Sequence, residues 1–315
     1  MLLLLNQVNN FFYTVKNRLF AFTNEAKKLK PPTYKELIKY QNFQRKNNNQ
    51  LALSFGAGRC GQNWFSKIFN SHPNWVATNE RFAQYEAFYR YICYYNLPIY
   101  KDGFMKLIEL ASKRDMAKFQ NSFISSPYFA LGVEELTNKL KPDYIFFLIR
   151  NPIQTVEDFY DKGWYRYFND QKEINSPMID ISGDQYRSFS RIVPKGEFLK
   201  EWLSLTRIGK ITCWFVSTFN KAIYSDFKKI QNVEKFFVKL EDVHQNYIIY
   251  EKLSKKFNFE NKLTKSQFYN VLNKAANYKT RFNYLYKDWS DLEKKEFENI
   301  LYNNFPHYDE IATNI

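Results

Sequence analysis

The chain has 315 residues, of which 45% are hydrophobic and 19% are aromatic, a composition that excludes a disordered chain and suits one α/β domain with appendages. Its formal net charge of +14 indicates a negatively charged partner or substrate, although solvated lysines alone would account for it, because no block of like charges forms a basic arm. Three scattered cysteines and three scattered histidines predict neither a disulfide framework nor a metal site, and they favour a reducing compartment.

The first 50 residues are predicted to form a helical extension ahead of the domain. Met1 to Leu5 are apolar, but this run is far too short to span a bilayer, and it lacks the features of a signal peptide. Asn9 to Phe22 mix aromatic and basic side chains, as in an amphipathic helix that either lies on a membrane surface or caps the domain. A further helix is predicted from Thr33 to about Lys46. The expected location is the cytoplasm, with or without attachment to a membrane surface.

A strand, a glycine loop and a helix are predicted between residues 51 and 73. Leu51 to Phe55 suit a buried strand, and glycines at positions 56, 58 and 61 let a ligand approach the backbone closely. Gln62 to Ser71 carry a single apolar stripe, as expected for a helix. This order places backbone N–H groups and a helix N-terminus around one point, where a phosphate or a similar anion binds. The loop has the glycine spacing of a Walker A motif, but Gln62 and Asn63 replace its Lys-Ser/Thr pair, which argues against a magnesium-dependent ATPase or kinase.

This loop resembles the 5′-phosphosulfate-binding loop of the PAPS-dependent sulfotransferases, in which Lys or Arg precedes Ser-Gly-Thr-Thr and a hydrophobic residue. The matching residues here are, in order, Arg59, Cys60, Gly61, Gln62, Asn63 and Trp64. Glutamine and asparagine still offer side-chain donors to a phosphate. The resemblance implies that the loop holds the 5′-phosphosulfate end of PAPS, with Arg59 neutralising charge on the leaving oxygen and Trp64 near the adenine.

A second strand is predicted further along the chain. An aromatic-rich helical run from Phe82 to Tyr95, further helix and loop up to Ser125, and a short strand from Tyr128 to Leu131 come first. Tyr144 to Ile149 are then nearly all apolar, as in a parallel strand covered on both faces. This strand leads directly into Arg150. Because ligands of open α/β sheets bind at the carboxyl ends of the strands, we expect Arg59 and Arg150 to face one crevice.

The sequence Arg150-Asn151-Pro152 resembles the start of the 3′-phosphate-binding motif of the same family, and Phe159-Tyr160 match its aromatic pair. Asp158 stands where the family has a serine. A carboxylate there would repel the 3′-phosphate by about 1 to 4 kcal/mol at 4 Å, so either Asp158 turns away or the site has changed. Thr155, one helical turn earlier on nearly the same face, could supply the hydroxyl instead.

Glu80 is the candidate general base. In the branch of the family that sulfates tyrosine, and in similar bacterial enzymes, the loop helix ends in His-Pro and a glutamate a few residues later accepts the proton; His72-Pro73 and Glu80 match these intervals. The alternative interpretation is an exposed carboxylate that caps a helix. Glu86 is a weaker alternative base.

The C-terminal half adds a third strand, Phe236 to Leu240, whose Glu-Asp ending also resembles the family. Residues 162–196 are interpreted as a lid or insertion. By the same resemblance, Lys279 and Arg281 are expected to close over the nucleotide. The remaining predicted helices are Glu197 to Tyr224, His244 to Phe257, Ser266 to Asn277 and Ser290 to Asn303.

Together these patterns predict an α/β protein, with a P-loop-like three-layer fold over residues 51–315 and a central, mainly parallel sheet flanked by helices. The resemblance implies a metal-independent sulfotransferase that moves a sulfuryl group from PAPS to an acceptor hydroxyl and releases PAP. The expected acceptor is a carbohydrate or glycolipid. One alternative is a nucleotide-binding protein of the same fold that has lost catalysis. Another is a basic nucleic-acid-binding protein, against which the aromatic residues lie in apolar, periodic runs typical of a core.

Overall fold

The structure is a computed structural model, and it describes residues 32–165, 192–194, 198–244, 246–273 and 283–315. The amphipathic stretch predicted near the N-terminus lies outside the described residues. Lys279, Arg281 and most of the lid predicted over residues 162–196 lie outside them as well. Within the described ranges, none of the helices is long and apolar enough to cross a lipid bilayer.

Five parallel strands form one central sheet, and their order across the sheet is β2-β3-β1-β4-β5. The strands are β1 (Leu51–Phe55), β2 (Trp75–Asn79), β3 (Asn121–Ser125), β4 (Tyr144–Ile149) and β5 (Glu234–Lys239). Every residue of β1 and β3 is buried. Parallel strands that are covered on both faces have this burial, and the predicted α/β class is therefore confirmed.

Helices cover both faces of the sheet. The α-helices are α1 (Tyr34–Ile38), α2 (Gln62–Asn70), α3 (Ala83–Tyr95), α4 (Asp102–Phe119), α5 (Val133–Leu140), α6 (Pro152–Asp161), α7 (Phe198–Ser204), α8 (Arg207–Ile211), α9 (Phe219–Lys229), α10 (Leu240–Val243), α11 (Tyr247–Lys256), α12 (Lys265–Asn273) and α13 (Asp291–Asn304). A π-helical turn, Thr212–Thr218, joins α8 to α9.

The core consists of two apolar clusters, one on each face of the sheet. One cluster packs the odd-numbered residues of β1 against helices that include α4, α5 and α9. The other packs Ala52 and Phe146 against α2, α11 and α12, and it is rich in aromatic rings; Phe69, for example, stacks on Phe123 with ring centroids 4.4 Å apart. Successive side chains of a strand point to opposite faces, so the central strands supply both clusters. The result is the predicted three-layer arrangement.

Several local predictions were wrong. The segment around Tyr128 is a 3-10 turn, Pro127–Phe129, rather than a strand. The long helix predicted from Glu197 to Tyr224 is divided into α7, α8, the π-helical turn and the start of α9. The helix predicted from Thr33 to Lys46 ends at Ile38. Neither β2 nor β3 was predicted as a strand.

The connections place a crevice between β1 and β4. The chain leaves β1 through α2 towards β2, on one side of the sheet, and it leaves β4 through α6 towards β5, on the other side. Because β1 and β4 are neighbours, the connections that follow them run in opposite directions from adjacent strand ends. A crevice outside the carboxyl ends of such strands is where open α/β sheets bind ligands.

Candidate functional site

The loop of residues 56–61, here called the cradle loop, joins β1 to α2 in a tight turn. Gly58, Arg59 and Gly61 have φ of 103°, 58° and 89°, all in the left-handed region. A Cβ on Gly56 would lie 2.4 Å from the Cys60 sulfur, so the turn folds closely onto itself. Alternation of right- and left-handed residues in front of a helix makes backbone concavities that bind anions. The cradle loop therefore has the backbone form predicted from its glycines.

The first turn of α2 gives the cradle loop a helix N-terminus. Gly61 is the N-cap residue, and it has no side chain that could cap the helix. The first N–H groups of a helix have no intrahelical partner, and they favour negative charge. Gln62 is buried and its Nε2 has no hydrogen-bond partner within the described part of the chain, whereas Asn63 is half-buried. Buried donors without a partner are groups that an added anion could satisfy.

Three charged side chains from separate parts of the chain meet beside the cradle loop, and we call Arg59, Arg150 and Asp158 the cradle cluster. Arg59 Nη2 donates to Asp158 Oδ1 at 2.8 Å, and Arg150 Nη1 lies 3.3 Å from Asp158 Oδ2. Arg150 Nη1 also lies 3.3 Å from the backbone oxygen of Arg59. The structure thus brings the two predicted cations to one point, and Asp158, which was expected either to turn away or to mark a changed site, lies between them.

Helix α6 holds the cradle cluster in place. Its N-cap Asn151 accepts the N–H of Gln154 at 3.3 Å, and Pro152 occupies the first turn, where proline fits a helix start. Gln154 Oε1 accepts from Arg150 Nε at 3.2 Å. Phe159, on the same helix, lies against Gly58 of the cradle loop. One helix therefore carries Asp158, orients Arg150 and supports the loop.

Thr155 and Trp64 are placed less directly for ligand contact. The Thr155 hydroxyl donates to the carbonyl of Asn151 at 3.0 Å and the residue is buried, so its proton is engaged within α6. Trp64 is buried and contacts the edges of Phe65 and Phe268. Cys60 is buried as well, and burial raises the pKa of its thiol to about 11, so it is not a nucleophile at neutral pH.

A cleft adjoins the cradle loop on the β5 side. Leu240, which follows β5, packs against Gly61, and Glu241 Oε1 accepts the N–H of Asn151 at 2.6 Å. Burial and the nearby Arg150 lower the pKa of His244. The cleft has a volume of about 390 Å³ and is lined by Glu241, Asp242, His244, Asn246, Tyr247, Ile248, Lys265 and Tyr269.

The candidate base Glu80 lies on the other side of the cradle loop, after β2. It has φ of 54°, and its N–H donates to the Ser125 carbonyl at 3.1 Å. Because β3 separates β2 from β1, the Glu80 backbone is displaced from the end of β1 by two strand spacings, or about 10 Å. Glu80 and the cradle cluster thus lie at the same, carboxyl edge of the sheet, after strands that are two positions apart.

Glu86, the alternative base, is a buried carboxyl group behind that edge. Its Oε1 accepts the N–H of Phe82 at 2.9 Å. Burial is the main cause that raises the pKa of Glu86 to about 7, and the charge of Glu80 adds to it, while the Phe82 N–H and Ser126 hydroxyl oppose it. Pro127, next to Ser126, lies against Gly58 of the cradle loop. Glu86 is therefore close to the loop but only 1% exposed.

A second group of charges, not foreseen from the sequence, anchors the segment that carries Glu80. Arg81, Arg114 and Asp115 form what we call the inner cluster, in which Asp115 pairs with Arg81 and accepts from Arg114 Nη1 at 3.1 Å. Ser122 on β3 donates to the same carboxylate at 3.3 Å. One sequence signal could have indicated this cluster: Asp115 is a charged residue on the same face of α4 as the apolar core residue Ile108.

Among the described residues, no group of three or more His, Cys, Asp or Glu side chains is arranged to hold a metal ion. No protein-family model matches this chain, and no curated protein matches it. The site is therefore interpreted from its own geometry.

Proposed function

We propose that this chain transfers a sulfuryl group from a 5′-phosphosulfate nucleotide, PAPS, to a hydroxyl acceptor. The observation that carries the proposal is the convergence of Arg59 and Arg150 on one carboxylate beside the cradle loop. These arginines follow β1 and β4, the neighbouring strands whose connections run to opposite sides of the sheet. Two cations, a helix N-terminus and a left-handed loop around one crevice suit a nucleotide with several anionic groups.

In the proposed reaction, the acceptor oxygen attacks the sulfur of the donor and forms a new S–O bond. The bond from sulfur to the bridging oxygen breaks, and its electron pair leaves with the 5′-phosphate of PAP. Arg59 stabilises the charge that develops on that bridging oxygen, and backbone N–H groups of residues 60–63 hold the 5′-phosphate. Arg150 holds the 3′-phosphate, and Thr155 joins it when its hydroxyl turns from the Asn151 carbonyl to the ligand. Catalysis then depends mainly on positioning and charge, as in phosphoryl transfer.

Glu80 accepts the acceptor's proton in this scheme. It follows β2, two strands from β1, so in this scheme the acceptor binds at the carboxyl edge between the glutamate and the cradle loop. Tyr85, on the adjoining α3, is 61% exposed and offers an aromatic face to a sugar ring. A carbohydrate or glycolipid hydroxyl is therefore the first acceptor class to screen.

Calorimetric titration with PAP tests the nucleotide site. We expect micromolar binding by the unaltered protein and its loss in Arg59→Ala and Arg150→Ala. Lys106→Ala is the matched control, because it removes one positive charge from the exposed surface of α4, where Lys106 pairs with Glu109. Equal PAP binding by Arg59→Ala and Lys106→Ala would contradict the proposal.

One observation favours a second candidate, a nucleotide-binding protein of the same fold without transfer activity. Asp158 contacts both cations, and Gln62 and Asn63 replace the two threonines of the sulfotransferase loop that this loop resembles. Labelled PAPS distinguishes the two candidates. Binding of PAP without transfer of the label to any carbohydrate, glycolipid or phenol acceptor would favour the second.

A further inference from the structure

Asp158 makes the contacts that a bound anion would make in the cradle cluster. Each of its carboxylate oxygens faces a different guanidinium group, at 2.8 Å from Arg59 and 3.3 Å from Arg150. Guanidinium groups direct their N–H groups at carboxylates and phosphates in the same way. A ligand phosphate would therefore meet donors that Asp158 already engages.

The charges of the cradle cluster do not cancel. Two guanidinium groups face one carboxylate, which leaves one positive charge, and Arg59 Nε has no hydrogen-bond partner within the described part of the chain. The Asp158 side chain is 6% exposed, whereas those of Arg59 and Arg150 are 20% and 17% exposed. The arginines thus reach solvent while the carboxylate lies behind them, so an incoming anion approaches the cations from the open side.

We propose that Asp158 is an internal anion that competes with ligand phosphate for Arg59 and Arg150 and so determines which anions the site accepts. This inference rests on the proposed anion site. A phosphate monoester carries nearly two negative charges at neutral pH, against one for the aspartate. Phosphate monoesters and pyrophosphate can therefore displace Asp158 from the guanidinium groups, whereas singly charged anions such as acetate compete poorly.

The test is calorimetric titration of the full chain and of Asp158→Asn with inorganic pyrophosphate and, separately, with PAP. Asparagine has nearly the same shape but no charge, so Arg59 and Arg150 lose their internal competitor. We expect Asp158→Asn to bind both probes at least about tenfold more tightly than the unaltered protein, because removal of a like charge close to the ligand favours binding. Asp158→Ser provides a second variant, and thermal unfolding of each variant establishes that it is folded.

Three results would separate this inference from the proposed function. Equal or weaker pyrophosphate binding by folded Asp158→Asn and Asp158→Ser would overturn the inference, and would assign Asp158 to positioning the arginines. Tighter pyrophosphate binding by both variants, but with no PAP binding and no sulfuryl transfer, would support the inference while the proposed function failed. Acetate binding as tight as pyrophosphate binding in the unaltered protein would overturn the preference for doubly charged anions.

Discussion

The cradle cluster and the inner cluster have the same composition, one aspartate between two arginines, and they differ in burial. The arginine side chains of the cradle cluster are 17% and 20% exposed, whereas those of the inner cluster are 4% and 6% exposed. An anion from solvent can therefore reach the first pair of arginines, but the second pair is enclosed by α4, β3 and the segment after β2. Exposure, rather than composition, separates an ion cluster that can exchange its partner from one that only stabilises the fold.

The largest expected effect is on the inner cluster. Asp115→Asn leaves the buried Arg81 without its carboxylate and leaves Arg114 with Glu36 alone, and we expect it to lower the free energy of unfolding by about 3 to 5 kcal/mol. Domains of this kind have only about 5 to 15 kcal/mol in total, so urea unfolding would detect the change easily. Glu109→Gln, on the same helix, is the matched control, because Glu109 pairs with partly exposed Lys106 and Lys113. Its expected loss is about 0 to 1 kcal/mol.

Equal losses in Asp115→Asn and Glu109→Gln would show that burial does not separate the two kinds of ion pair in this fold. Anion affinity should also differ between the two clusters when the aspartate of each is neutralised. Asp158→Asn is expected to tighten anion binding, whereas the inner-cluster variant Asp115→Asn is expected to leave the affinity of the remaining folded protein unchanged.

Glu86 gives the next largest effect, a dependence of stability on pH. Its folded pKa of about 7 lies above the ordinary value of 4.5, so the folded state keeps a proton that the unfolded state loses. The contribution is fully present below pH 4.5, is lost as the pH rises to about 7, and is constant above that. The pKa difference corresponds to about 3 kcal/mol in the free energy of unfolding.

Glu86→Gln isolates this contribution, because glutamine is neutral at every pH and can still accept the Phe82 N–H. We expect the unaltered protein to lose about 3 kcal/mol relative to Glu86→Gln between pH 4.5 and pH 8, as measured by urea unfolding at each pH. Glu134→Gln, which alters an exposed residue of α5, serves as the control. A constant difference between the unaltered protein and Glu86→Gln across this range would contradict the assignment.

The sequence could predict β1, β4, β5 and the cradle loop because their signals are local. β1 and β4 are continuous apolar runs, and the glycines of the loop mark backbone that other residues adopt only with strain. β2 and β3 were missed because Asn79, Asn121 and two serines, Ser122 and Ser125, interrupt their apolar pattern, although both strands are almost entirely buried. Their polar side chains are accommodated by tertiary contacts, such as the 2.6 Å hydrogen bond between Ser54 and Ser125.

The candidate site was predictable in part for the same reason. Arg59 and Arg150 were expected near each other, and they meet at Asp158, because the carboxyl ends of neighbouring parallel strands share an edge. The position of Asp158 between them could not be predicted, since it depends on the rotation of α6 about its axis. The inner cluster joins residues that are 34 positions apart in the chain, Arg81 and Asp115, and no spacing rule links such residues.

Gly61 tests how far the cradle loop depends on its backbone. Its φ of 89° is strained for a residue with a side chain, so Gly61→Ala should lower the free energy of unfolding by about 1 to 2 kcal/mol. It should also weaken PAP binding, because the N-cap of α2 must shift. Gly103→Ala is the matched control: a Cβ there meets nothing within 4 Å, and alanine favours the helix α4 by up to about 1 kcal/mol. If Gly61→Ala unfolds at the same urea concentration as the unaltered protein, the loop is not strained.

The smallest expected effect concerns the orientation of Arg150. Gln154 accepts from Arg150 Nε at 3.2 Å on the exposed side of the cradle cluster, so Gln154→Ala should leave stability within about 0.5 kcal/mol. We expect PAP binding to weaken by about two- to fivefold, because Arg150 loses part of its preorganisation. Gln154→Glu keeps an acceptor for Arg150 but adds a negative charge beside the ligand. If orientation matters more than charge, Gln154→Glu will bind PAP better than Gln154→Ala; the reverse order would mean that the cradle cluster attracts anions chiefly through its net charge.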